Sequence, residues 1–147
     1  MATARDLLKA KTGGDIFSVT ADSTVLEAMK VMAERNVGAA LVMSGNKIEG
    51  ILSERDIVRK VDVLGKTSAT TRVREIMTEK VLYVAPNQPL EECMAIMTEK
   101  RVRHLPVMES DERLLGVISI GDVLREVIHE QKFMISQLEH YISGGAQ

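Results

Sequence analysis

Gly50-Ile51-Leu52-Ser53-Glu54-Arg55-Asp56 returns 66 residues later as Gly116-Val117-Ile118-Ser119-Ile120-Gly121-Asp122. A glycine, two aliphatic residues, a serine and an aspartate three positions on read as a buried strand running into a helix, because Ser-x-x-Asp can cap a first helical turn reciprocally. A phrase that recurs with its spacing intact marks an internal duplication, and a duplication decides the architecture before any single element does. Upstream of it the shift is 65, pairing Val19 with Val84, Glu27 with Glu92, Met29 with Met94, Met32 with Met97, Val37 with Val102, Val42 with Val107 and Met43 with Met108. One extra residue around Asp111 to Arg113 changes the register, and Arg59 with Arg125 carries the match downstream.

Each half opens on a short helical segment, Arg5-Asp6-Leu7-Leu8 or Arg74-Glu75-Ile76-Met77. A strand is predicted at Ile16 to Val19 and at Val81 to Val84, each ended by a turn signal, Ala21-Asp22-Ser23 or Pro86-Asn87-Gln88-Pro89. Val25, Ala28, Met29 and Met32 then fall at helical spacing, as do Leu90, Cys93, Met94 and Met97, with Pro89 suited to the first turn. The runs Ala39 to Met43 and Ile48 to Leu52, and likewise Leu105 to Met108 and Leu114 to Ile118, predict hairpins, followed by a second amphipathic helix. The fold class is therefore mixed α/β (α+β), a βαββα unit occurring twice. Residues 1–64 form the first repeat with its helical lead-in, 65–72 a polar surface linker, and 73–147 the second repeat. A unit of about 60 residues buries little surface alone, so the repeats are expected to pack with pseudo-twofold symmetry, creating two clefts at their seam.

Composition narrows function. Of 147 residues, 45% are hydrophobic and 27% charged, the balance of a globular domain. The 19 basic and 21 acidic residues leave a formal charge of -2, and aromatic residues are 3%, which argues against nucleic-acid binding. No apolar run approaches the length that spans a bilayer, and Met1 to Lys11 does not read as a signal peptide. A single cysteine, Cys93, within a helical apolar pattern suits a reduced compartment, and a cytoplasmic protein without membrane partners is expected. The nine methionines, Met29, Met32, Met94 and Met97 among them, read as core filling.

The repeated phrases, the segment Val73-Arg74-Glu75-Ile76-Met77-Thr78 and the motif Arg101-Val102-Arg103-His104-Leu105-Pro106-Val107 together resemble the cystathionine beta-synthase (CBS) domain pair, or Bateman module, over nearly the whole chain. The resemblance implies a sensor of an adenosine-containing ligand, AMP foremost, with ATP, ADP, NAD or S-adenosylmethionine as alternatives. It also implies a regulatory role toward a separate protein.

On local grounds Ser53 and Ser119 are helix caps and Asp56 and Asp122 return the hydrogen bond. The resemblance assigns both aspartates to the cis hydroxyls of a ribose, a contact for which two carboxylate oxygens are well separated. The serine hydroxyls stand at helix starts, where free N–H groups and the positive dipole end favour phosphate. Arg55 shares that turn in the first repeat, where the second has Gly121. Arg103 and His104 are placed near phosphates by the resemblance, while Arg101 reads equally well as a solvated charge; arginine's fork suits bidentate contact. Their counterparts Gly38 and Ala39 leave room for adenine or ribose. Thr20 is ordinarily a local hydrogen bonder and a lesser candidate for ligand contact. Pro106 lies in the motif beside these positions and is included among the nucleotide-binding candidates.

Past the repeat, Leu124, Val127, Ile128, Met134, Ile135, Leu138, Tyr141 and Ile142 continue at helical spacing to Gly144-Gly145. Such a long C-terminal helix exposes an apolar stripe, and a homodimer is the hypothesis it raises. His104, His129 and His140 show no metal-ligand spacing with Cys93, and neither a phosphate-binding glycine loop nor a nucleophile elbow is present, so no metal and no catalysis are expected. The competing reading is an assembly module whose nucleotide clefts do not function.

Overall fold

The computed structural model describes residues 2–11, 18–110 and 113–145. In chain order the elements are α1 (Ala4–Ala10), β1 (Ser18–Val19), α2 (Val25–Arg35), β2 (Ala39–Ser44), β3 (Lys47–Ser53), α3 (Glu54–Ile57), a π-helical turn (Val58–Asp62), α4 (Val73–Ile76), α5 (Leu90–Lys100), β4 (His104–Met108), β5 (Leu114–Ser119) and α6 (Ile120–Gly145). They form a mixed α/β fold of two compact units. One is continuous, residues 15–82; the other joins residues 1–14 to 83–147.

In the continuous unit the sheet order is β1-β2-β3, with β1 parallel to β2 and β2 antiparallel to β3. In the discontinuous unit β4 and β5 pair antiparallel, and Val84 makes a parallel bridge to Val107. The duplication is visible at single-residue level, since Val19 pairs with Val42 where Val84 pairs with Val107, and a register shift follows both Val42 and Val107. The strand predicted at Val81 to Val84 contracts to that one bridge. Leu82 and Tyr83 are exposed and offer no apolar face to bury, while Val84 donates to the Pro106 carbonyl and accepts from the Met108 N–H. Of the matching segment, Ser18–Val19 is strand, and Ile16 lies outside the described residues, as does the Asp111 region.

Helices α2 and α5 start and stop alike for local reasons. Thr24 and Glu27 form a reciprocal capping box on α2, and Pro89 stands at the N-cap of α5, where a missing N–H costs nothing. Both end in a left-handed residue, Asn36 or Arg101, which turns the chain toward the next strand. Their inner faces bury Val25, Ala28 and Met32, or Leu90, Cys93 and Met97. Met94 is partly buried against the core, but Met29 is exposed and not the core residue its spacing suggested.

The lead-in helices depart from the expected division at 1–64, 65–72 and 73–147. Ala4 and Leu7 of α1 are buried in the core of the second repeat, with Leu90, Leu105, Val107, Ile118 and Val123. Val73 and Ile76 of α4 are buried in the core of the first, with Val25, Val42, Leu52 and Val61. Each short helix has an apolar face, and the core it joins is built around the sheet of the other repeat. The same exchange explains the first residue of the repeated phrase. A Cβ on Gly50 would stand 2.8 Å from the Thr78 carbonyl oxygen, and one on Gly116 would stand 2.8 Å from a methyl of Leu8. The expected surface linker is also tied down: the Thr71 carbonyl accepts from Val25 N–H at 2.8 Å and the Ser68 carbonyl from Leu26 N–H at 3.0 Å, and Thr71 is buried. These carbonyls satisfy donors that the first turn of α2 leaves open. Among the described residues no helix is long and apolar enough to cross a membrane.

Candidate functional site

Each unit closes its hairpin onto a helix start. The Gly38 carbonyl accepts from Glu54 N–H at 3.0 Å and the Arg103 carbonyl accepts from Ile120 N–H at 2.8 Å, while Ala39 pairs with Ser53 and His104 with Ser119. These bonds bring Gly38, Ala39, Ser53, Arg55 and Asp56 together in one unit, and Arg103, His104, Ser119 and Asp122 together in the other. Thr20 is not brought to this corner of its unit. Val19 is level with Val42, so Thr20 lies at the far end of β2, where its hydroxyl bonds Ser23 at 2.8 Å. Pro106 is buried in mid-sheet opposite Val117, two pairs away from Ser119.

The capping reading of the two aspartates is realised in full. Ser53 N–H and hydroxyl donate to Asp56 Oδ2 at 3.1 and 3.0 Å, and Asp56 N–H donates to Ser53 Oγ at 3.2 Å. Ser119 N–H donates to Asp122 Oδ2 at 2.7 Å, and Asp122 N–H to Ser119 Oγ at 3.2 Å. Both carboxylates are buried, and a buried carboxylate needs partners for all its oxygens. Asp56 Oδ1 has Lys60 Nζ at 3.1 Å and Thr78 Oγ1 at 3.4 Å. Lys60 in turn donates to the Ile76 carbonyl at 3.0 Å. The π-helical turn carries Lys60, and α4 delivers Thr78.

Asp122 is held differently. Lys11 Nζ lies 3.1 Å from its Oδ2 and donates to the Val117 carbonyl at 2.8 Å, while Arg125 pairs with Oδ1. Burial pushes the Asp122 pKa up, but the Ser119 N–H and Lys11 outweigh burial and hold the carboxyl below its usual range. The Arg125 side chain is 72% exposed, so its pairing is the weak one of the set. Lys11, Lys60, Thr78 and Arg125 were not singled out by sequence. Lys60 and Arg125 stand one helical turn after their aspartates, a spacing legible in principle; Lys11 and Thr78 arrive from segments distant in the chain.

Chemically, the Asp122 corner offers a carboxylate oxygen held by an exposed arginine, the N-terminal end of a 26-residue helix, the imidazole-bearing residue His104, and the basic residues Arg103 and Lys11. That set suits a ligand with vicinal hydroxyls and an anionic group. The continuous unit also has a depression of about 470 Å³ beside Gly38, lined by Met29, Met32, Val37, Ile57 and Val58. Glu54 and Asp62 on its wall disfavour phosphate there. Among the described residues no group of three or more His, Cys, Asp or Glu side chains is placed to hold a metal.

Comparison with known proteins places the fold in a family. The mitochondrial CBS domain-containing protein CBSX3 of Arabidopsis thaliana is 40% identical over 151 residues, covering 97% of this chain and 73% of its own. A CBS-domain structure from Burkholderia ambifaria is 50% identical with a TM-score of 0.85, covering 88% of this chain and 96% of its own. CBSX2, whose crystal structure contains AMP, is 22% identical with a TM-score of 0.71, covering 88% of this chain and 98% of its own, and shares the fold. The CBS domain matches residues 4–63 and again residues 73–129, and so the chain belongs to the CBS domain family, as a tandem pair.

Proposed function

We propose that this chain is a regulatory module that binds an adenine nucleotide and performs no chemistry on it. The observation that carries the reading is Asp122, a buried, ionised carboxylate at a helix start whose Oδ1 is held by an exposed arginine. The guanidinium end of this pair is exposed, so water can take up Arg125 while a ribose diol replaces it as the donor to Oδ1. Asp56 must surrender Lys60 and the Thr78 hydroxyl together, which makes the first-repeat position the weaker site or a purely structural cap. Arg103 and His104, whose backbones join the start of α6, are the residues expected to meet an attached phosphate there. AMP is the leading ligand, supported by the AMP complex of CBSX2.

Calorimetry with AMP, ADP, ATP, NAD and S-adenosylmethionine tests the reading on the intact chain. Binding of AMP is expected, and Asp122→Asn is expected to weaken it about ten- to a hundredfold, the value of charge-assisted hydrogen bonds. Asp56→Asn is expected to change affinity less. Absence of heat with all five ligands would instead support the assembly reading, in which both aspartates serve only as caps. Chromatography of ATP and NAD after prolonged incubation with the protein is expected to show no turnover.

A further inference from the structure

We propose that the distal half of α6 is a self-association element, through which two copies of this chain pair as parallel, in-register helices. From Gln131 to Gly144 every residue of α6 is exposed. Along this segment and the two turns before it, Leu124, Ile128, Gln131, Ile135, Leu138 and Ile142 recur at alternating spacings of four and three. In heptad notation Ile128, Ile135 and Ile142 occupy every a position, and Leu124, Gln131 and Leu138 every d position. The five apolar residues of this seam are each at least half exposed. Isoleucine at a with leucine at d is the pattern that favours two parallel strands, and the buried amide of Gln131 favours the register in which it finds a polar partner. Phe133 falls outside the seam. Val127, which shares the g position with Met134 and Tyr141, already packs on its own core.

Orientation follows from the polar residues. An antiparallel pairing that matched Ile128 with Leu138 would set Gln131 against Ile135 twice, burying two amides without partners. It would also bring Lys132 against its own copy. The compensating pair, Arg125 with Glu139, would draw Arg125 from Asp122. In the parallel arrangement Gln131 meets Gln131 of the second copy, and each amide supplies a donor and an acceptor to the other. Lys132 and Glu139, at e, then lie beside Val127 and Met134, where the lysine stem covers apolar surface and no like charges meet.

The proposal is independent of nucleotide binding and is tested by sedimentation equilibrium of the full chain at micromolar concentration. A dimer is expected. Ile135→Glu with Leu138→Glu is expected to weaken it at least roughly a hundredfold, because each glutamate would be buried without a partner. Ser136→Glu with Gln137→Glu, off the seam, is expected to leave it unchanged. All four positions lie outside the buried core, so each variant should keep a cooperative thermal transition, and the variant carrying Ile135→Glu with Leu138→Glu should lose the concentration dependence of melting temperature that dimerisation gives the parent. Orientation is read by oxidative crosslinking: Leu138→Cys is expected to form a disulfide with its own copy, the native Cys93 being buried. A monomeric parent, a dimer indifferent to the double glutamate variant, or crosslinking confined to a mixture of Ile128→Cys and Leu138→Cys would each overturn the proposal.

Discussion

Asp122 couples the folded state to pH in a direction its contacts define. Its carboxyl is held below the ordinary value, burial being outweighed by the Ser119 N–H and Lys11, so the folded chain prefers it ionised. A group with a depressed folded pKa adds stability that is complete above the unfolded value, about 4, and is lost as pH falls through the folded one. Acid unfolding of the parent is therefore expected to steepen below about pH 4, and Asp122→Asn, followed by circular dichroism, should flatten that limb. Arg101 offers the opposite kind of test. It occupies the left-handed region with φ 56° where its counterpart is Asn36 at φ 54°, and asparagine tolerates that conformation better than a long side chain. Arg101→Asn is expected to stabilise the chain by up to about 1 kcal/mol in urea unfolding. The cap residues of the candidate site were legible as Ser-x-x-Asp because a cap is a local device. Lys11 and Thr78 were not, since nothing within a few residues of either one announces a carboxylate.

At the level of elements, the hairpins follow from short apolar runs joined by polar loops, and α2, α5 and the long α6 from a period of 3.6 that the chain carries in plain form. The π-helical turn after α3 does not. It replaces the regular helix that the same phrase opens in α6, and Val58 and Val61 fit an ordinary amphipathic helix equally well. Nor does the fate of Val81 to Val84, because whether a short apolar run becomes a strand depends on the edge it meets. The two glycines of the repeated phrase look equivalent in sequence and are not equivalent in space. Gly50 faces a backbone carbonyl, which cannot move alone, whereas Gly116 faces the tip of Leu8, which can change rotamer. Gly50→Ala is expected to cost about 1 to 3 kcal/mol and Gly116→Ala under about 1 kcal/mol, a difference that parallel thermal melts would expose.

For the whole molecule, the decisive feature is the ownership of the lead-in helices. The repeat is legible as two successive copies, but the compact units cut across it, because burial of Leu7 and Ile76 is decided by which sheet lies alongside. Deletion of residues 2–11 is accordingly expected to lower hydrogen-exchange protection in α5, β4 and β5 more than in β2 and β3. It removes Ala4 and Leu7 from one core, and Lys11 from beside Asp122, while leaving the other core its own side chains.

Because residues 15–82 sit in the chain between the two pieces of the other unit, the order of synthesis matters. A ribosome releases every side chain of the inner unit before β4 and β5 exist, so the inner core can close early while α1 waits, its apolar face uncovered, for the last third of the chain to emerge. The nascent protein thus passes through an interval in which Ala4 and Leu7 lack the side chains that later bury them, and a chaperone that surveys emerging chains would find its handle there.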